Sequence, residues 1–209
     1  MARRNKGIMD RRDIPFAQRL QMQRKAQIIH NREQAAKAVM FCQSVALHRL
    51  EGIGFKRLVR FALHFKKVND EFYEDPVVGM AHAKARMEQL GMPISGELFT
   101  VTGKNKLETE MENHALQAAQ IALICGAITM NDEFGFGKER QERVSALTKE
   151  LTARYAREGI DFLLEELEQI GFVIVAGEAR AWLDDEGNAL TLKQAQAYFG
   201  PESRQMLEA

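Results

Sequence analysis

The 209-residue chain balances 29 Lys+Arg against 29 Asp+Glu, and its 45% hydrophobic content is enough to bury one sizeable core or two small ones. No run of residues approaches the length of a membrane span and the basic N-terminus is followed by no apolar stretch, which argues against membrane insertion and secretion. Two cysteines far apart in the chain exclude a disulfide framework and a Cys-based metal or redox motif, which fits a reducing cytoplasm.

The zero net charge conceals a polarity. Residues 1–93 hold 18 Lys+Arg against 9 Asp+Glu, a balance of +9, and residues 94–209 hold 11 against 20, a balance of −9. Either the first half faces an anion and the second a cation, or the two neutralise each other within one molecule or between subunits.

Residues 1–31 are expected to form a basic arm and a first helix. Arg3, Arg4, Arg11 and Arg12 stand in a stretch too polar to fold alone. It serves either as an arm lying on phosphates, with affinity from counterion release, or as a solubilising tail. Asp13 and Pro15 suit the start of a surface helix over Phe16–His30, with a break expected at His30-Asn31. From Arg32, the positions Ala35, Ala38, Val39, Cys42, Val45 and Ala46 recur at helical spacing, and Met40, Phe41 and Leu47 fill other sides. Such a helix is buried on most faces.

After Gly52-Ile53-Gly54, a stripe of Leu58, Phe61, Phe65, Val68 and Phe72 predicts a second helix, with Lys56, Arg57, Arg60, Lys66 and Lys67 on its outer face. Asp75-Pro76 opens a third helix running to Leu90, and Gly91 stops it. This unit, residues 32–93, is followed by a linker at 94–107 that holds one short strand near Leu98–Val101.

The pattern then repeats. Gly135-Phe136-Gly137 falls on Gly52-Ile53-Gly54 at an offset of 83 (135 − 52), which also places Arg140 on Arg57 and Cys125 on Cys42. After a three-residue shortening, Glu168-Gln169-Ile170-Gly171 falls on Glu88-Gln89-Leu90-Gly91. The expected fold is mainly α, a tandem duplication of a three-helix unit, with the second copy at 108–172 and a small β-hairpin near the C-terminus. The second copy's surface is acidic, with Glu139, Glu142, Glu165, Glu166 and Glu168. In residues 173–209, Val173–Val175, Ala179–Leu183 and Ala189–Leu192 around Asp184–Asn188 signal the hairpin, ahead of a short helix over Lys193–Phe199. Trp182 plugs the core or offers a stacking platform.

The chemistry centres on the Gly-x-Gly turns. Glycines allow close backbone approach to an oxygen anion, the next helix presents free N–H groups, and Lys56, Arg57 and Arg60 add charge. The segment Leu47–Leu58 resembles the helix-hairpin-helix DNA-binding motif, which implies that Gly52 and Gly54 hold phosphate without reading bases. Its counterpart is Gly135, Gly137, Lys138 and Arg140. The alternative is a tight turn whose glycines let two buried helices cross closely. Asn131–Arg140 is also similar to a segment of uncharacterised helical proteins of bacteriophages that infect Gram-positive bacteria, which implies a viral origin and no assigned activity.

Enzyme patterns are missing. Gly135-Phe136-Gly137-Lys138 is no P-loop, because Asp132 takes the first glycine's place and Glu139 that of Ser or Thr. The histidines lack metal-ligand spacing. The expectation is a non-enzymatic phage-type accessory protein of the host cytoplasm, without metal or cofactor, that binds a nucleic acid or a host nucleoprotein complex. A narrower form is an inhibitor of a host defence nuclease (anti-CRISPR-like), with the acidic second unit imitating phosphates toward a basic protein surface. The alternatives are a DNA-binding regulator using paired turns and an oligomeric assembly protein joining the +9 half of one subunit to the −9 half of another.

Overall fold

The computed structural model describes residues 15–94, 106–175 and 178–200, and among them the chain is mainly helical. The helices are α1 (Phe16–Glu51), α2 (Phe55–Glu74), α3 (Pro76–Gln89), α4 (Lys106–Phe134), α5 (Lys138–Glu158), α6 (Asp161–Ile170) and α7 (Leu192–Phe199). Four short strands precede α7: β1 (Val173–Val175), β2 (Glu178–Arg180), β3 (Trp182–Leu183) and β4 (Ala189–Leu190). No helix of the described residues is long and apolar enough to cross a membrane. The expected arm, with Arg3, Arg4, Arg11 and Arg12, and the expected strand at Leu98–Val101 lie outside the described residues.

The expected break at His30-Asn31 is absent. The 36-residue α1 runs straight through it and through the boundary drawn between residues 31 and 32. Neither residue is a strong helix former, yet both lose only a fraction of a kcal/mol against alanine, roughly 0.7 at most, and no proline or glycine stands near to end the helix. The helix changes character along its length. Phe16, Leu20, Met22 and Ile29 are 74, 55, 55 and 54% exposed, whereas Cys42, Val45, Ala46 and Leu47 are fully buried.

The buried part of α1 packs along α4, the most extensive helix contact among the described residues. At this contact an added Cβ on Gly126 would fall 2.2 Å from the Gln43 amide, so a residue with no side chain lets the rods approach. The remaining helices cross over. α2 packs more on α4 than on α1, while α5 and α6 pack on α1. Each helix that follows a turn thus covers the rod of the other half. The result is one core that runs from Ala36 to Ala189 and draws on both halves.

Local signals place the helix ends. Asp75 Oδ1 accepts from the Val77 and Val78 N–H groups at 3.2 and 3.1 Å with Pro76 in the first turn, and Gly91 adopts φ 68° just past α3. The C-terminal β structure is two antiparallel hairpins rather than one. β1 pairs β2 through Val173 opposite Arg180, and β3 pairs β4 through Trp182 opposite Leu190. Asp184 closes the second by accepting from the Asn188 N–H at 2.7 Å and the Glu186 N–H at 3.0 Å, bonds that hold its carboxyl below the usual range. Trp182 is buried with Leu190 and Ala195 in a small cluster of its own, so it neither covers the main core nor stands exposed for stacking.

Candidate nucleic-acid interface

The two Gly-x-Gly turns share one backbone. Gly52 (φ 62°) sits in the left-handed region, and its N–H donates to the His48 carbonyl at 3.0 Å while that of Ile53 reaches the Leu47 carbonyl at 3.4 Å. Gly135 (φ 65°) donates to the Asn131 carbonyl at 2.8 Å, and Phe136 to the Met130 carbonyl at 3.3 Å. These bonds finish α1 and α4 and turn the chain sharply, and the left-handed residue must be glycine or strained. The apolar middle residues, Ile53 and Phe136, are buried and anchor the turns.

The second glycines are different. Gly54 (φ −83°) and Gly137 (φ −80°) are the N-caps of α2 and α5, in backbone that any residue adopts. An added Cβ would meet nothing within 4 Å at either position. The expectation that these glycines let buried helices cross is therefore not met at Gly54 or Gly137. Neither N-cap residue has a side chain to cap its helix, and among the described residues no side chain accepts from the first N–H groups.

The turns are neighbours. The Arg57 guanidinium of the first lies 4.8 Å from the centre of the Phe134 ring in the second. In return Arg140 Nε of the second lies 3.9 Å from Glu51 in the first, and Arg140 also covers the Phe136 ring. The offset of 83 relates these two contacts (140 − 57 and 134 − 51). Lys56, Arg57, Lys138 and Arg140 are thus gathered, exposed, around the two uncapped N-termini.

Other expected cations are spent inside the molecule. Arg60 is tied to Glu133 at 2.6 Å, and the His64 ring lies 3.1 Å from Glu133 and 3.3 Å from Asp132. Lys66 and Lys67 sit further along α2, where Lys66 meets Asp70 at 2.6 Å, a bond that raises its ammonium pKa, and Lys67 lies 3.9 Å from Glu71. They face a shallow depression edged by Asp70, Glu71 and Glu74, not the turns. Of the four gathered cations, Lys138 also lies 3.9 Å from Glu142, with both side chains more than half exposed. Arg143, which sequence reasoning left out, joins the site by pairing with Glu51 at 2.8 Å. The offset itself would have found it, since it is the match of Arg60 (143 − 60 = 83).

Elsewhere the chemistry is quiet. Burial pushes the thiols of Cys42 and Cys125 up to about 11 and about 12, so neither supplies thiolate at neutral pH. A cavity of about 580 Å³ between α2, α3 and α4 is lined by Phe72, Val78, His82, Ala83, Cys125 and Ile128 among others, and shares no residue with the turns. A smaller one of about 120 Å³ is bordered by Gln43 and Gln141, whose buried amide oxygens have no partner. No cluster of His, Cys, Asp and Glu able to hold a metal occurs among the described residues. No protein-family model, curated protein or solved structure matches the chain.

Proposed function

We propose that the chain binds phosphate groups of a nucleic acid, free or within a nucleoprotein complex, at the two neighbouring turns, and that it acts without catalysis. One observation carries the reading: Gly54 and Gly137 need not be glycine for backbone or packing, yet both leave a helix N-terminus uncapped. Asp, Ser or Asn would cap these helices better. What glycine provides is room for a phosphate oxygen against the N–H groups, with Lys56 and Arg57 beside one turn and Lys138 and Arg140 beside the other. Two such sites within one arginine's reach suit successive or opposed phosphates, which position the protein without specifying sequence.

Descent of the two halves from a duplicated unit of phage origin, and use of this surface to obstruct a host nuclease, belong to the same proposal. The phosphate-imitating role of the second unit has less to draw on, because Asp132, Glu133 and Glu166 already pair with Arg86, Arg60 and Arg49.

Gly54→Asp/Gly137→Asp separates binding from folding. An aspartate caps a helix better than glycine by a few tenths of a kcal/mol and repels a phosphate. Thermal melting is expected to rise slightly while affinity for labelled nucleic acid, followed across a salt series, falls at least about 10-fold. Undiminished binding by this variant removes the turns as the phosphate site.

A further inference from the structure

The first part of α1 is largely exposed among the described residues. From Phe16 to Asn31 it extends about 24 Å, and the side chains described there are exposed apart from the partly covered Ile28 and Asn31. An isolated helix of this length is marginal in water, so this one gains its persistence from the buried remainder of α1 or from a partner. Its composition says which partner. Residues 16–32 contain Arg19, Arg24, Lys25 and Arg32 and no Asp or Glu. Neither Arg19 nor Lys25 has an acidic partner among the described residues, in contrast to Arg60, Lys66 and Lys67 of α2.

A second copy of the chain is a poor occupant. Self-association of helices needs one continuous apolar seam. Here Phe16 and Leu20 lie on one side and Met22, Ala26 and Ile29 on another, with no stripe joining them. The cations are also spread: at about 100° per residue, Arg19, Arg24 and Lys25 point roughly 100–140° apart around the axis. Gln23, Gln27 and Asn31 share the side of Phe16 and Leu20, and Gln18 and Gln21 stand on either side of Lys25. An exposed helix that carries cations and amides around its girth and no acid fits a groove that has phosphates on its walls and base edges on its floor.

We infer that the projecting part of α1, residues 16–31, seats in the major groove of double-stranded DNA. That groove, about 12 Å wide, admits an α-helix, and its adenine N6 and N7 edges pair with glutamine or asparagine amides. The deep, narrow major groove of duplex RNA does not admit one. Because the helix stands clear of the core, it enters without unfolding anything. The inference shares with the proposed function only the class of partner, and it does not require the turns to bind.

The test uses the full chain and a labelled DNA duplex of about two helical turns, beside the matching RNA duplex and single-stranded DNA. Wild type is compared with Arg19→Glu/Lys25→Glu and with Gly54→Asp/Gly137→Asp, all at exposed positions, with melting curves to confirm the fold. Expected are a preference for duplex DNA of about 10-fold, protection of guanine N7 in the major groove, and loss of both in the α1 variant together with a salt slope shallower by about 2. An α1 variant that binds like wild type overturns the inference, as does equal binding of duplex RNA. So does a dimer in sedimentation that Phe16→Glu/Leu20→Glu splits. If only the turn variant loses binding, the turns stand as the phosphate site and the helix does not. If only the α1 variant loses it, the reverse holds, and a wild type that binds no nucleic acid removes both.

Discussion

The turns at Gly52–Gly54 and Gly135–Gly137 keep one backbone with different side chains around it. In the first, the His48 Nδ1–H donates to the Ile53 carbonyl at 3.0 Å and Leu58 packs below without a bond. In the second, the same carbonyl position, on Phe136, accepts from Asn131 Nδ2 at 3.3 Å and from Gln141 Nε2 at 2.9 Å. The offset matches His48 to Asn131 and Leu58 to Gln141. The geometry therefore rests on the glycines and the helix-ending hydrogen bonds, and the side chains beneath need only fill space and satisfy one carbonyl.

The widest expected difference lies at that last pair. Leu58→Gln puts a polar amide into a fully buried apolar site where the Ile53 carbonyl can take its N–H but nothing meets its oxygen, and a loss of roughly 2–4 kcal/mol is expected in chemical denaturation. Gln141→Leu is expected to gain about 1 kcal/mol, because it removes the unpartnered Oε1 while Asn131 still serves the Phe136 carbonyl. A loss at Gln141→Leu would mean that the amide oxygen is satisfied, most simply by water in the adjoining cavity of about 120 Å³.

Next come the glycines. Gly52→Ala and Gly135→Ala force a Cβ into left-handed backbone, and each is expected to lower stability by roughly 1–2 kcal/mol. Gly54→Ser and Gly137→Ser are expected to be neutral or better by a few tenths, because the space is open and serine caps. Equal losses at first and second glycines would contradict the separation between a fold-required glycine and a ligand-required one.

The matched cysteines test the rods. Both thiols ionise near 9.0 when unfolded, but burial holds them protonated in the fold up to about 11 for Cys42 and about 12 for Cys125. Above pH 9 the unfolded chain gives up protons that the folded chain keeps, so this stability is present below pH 9 and is lost as pH rises toward the folded values. The expected slope is about 1 kcal/mol per thiol per pH unit. Urea titrations at pH 8 and pH 10 should show a smaller alkaline loss in Cys42→Ala/Cys125→Ala than in wild type. An identical loss would place both thiols in contact with solvent.

Much of the local structure was legible in the residues. Gly52, Gly54, Gly135 and Gly137 mark where helices stop and start, Asp75-Pro76 marks α3, and the stripe of Leu58, Phe61, Phe65 and Phe72 marks the buried face of α2. Which neighbour covers that face was not legible. A 3.6-residue period says that a side is apolar, not that α4 rather than α1 will lie on it, and the rods are apolar all round. The charge imbalance left two readings open for a related reason. Summing charge over halves discards position, and part of the polarity closes inside the chain through Arg49–Glu166, Arg60–Glu133, Arg86–Asp132 and Lys37–Glu178. For the candidate site, the turns and the cations flanking them were visible in sequence, while the contact between the turns and the role of Arg143 required the crossed packing.

The smallest expected effect is also the sharpest probe of equivalence. Arg49 pairs with Glu166 through Nε at 2.8 Å, and Arg86 pairs with Asp132 through Nη1 at 3.0 Å. The first offset matches Arg49 to Asp132 (132 − 49 = 83), and the shortened one matches Arg86 to Glu166 (166 − 86 = 80). The two bridges thus occupy corresponding places with their charges exchanged. Both arginine side chains are 41% exposed, so each bridge contributes at most about 1 kcal/mol. Arg49→Glu is expected to cost about that much at low salt by setting two carboxylates together, and less at high salt. Arg49→Glu/Glu166→Arg recreates the sign order that Asp132 and Arg86 already hold, and should recover stability to within a few tenths of a kcal/mol of wild type. Recovery means that a bridge at this place tolerates either polarity. A double variant no better than the single one would mean that the backbones around the two bridges differ enough to make only one orientation workable, and that the likeness of the halves stops at the turns.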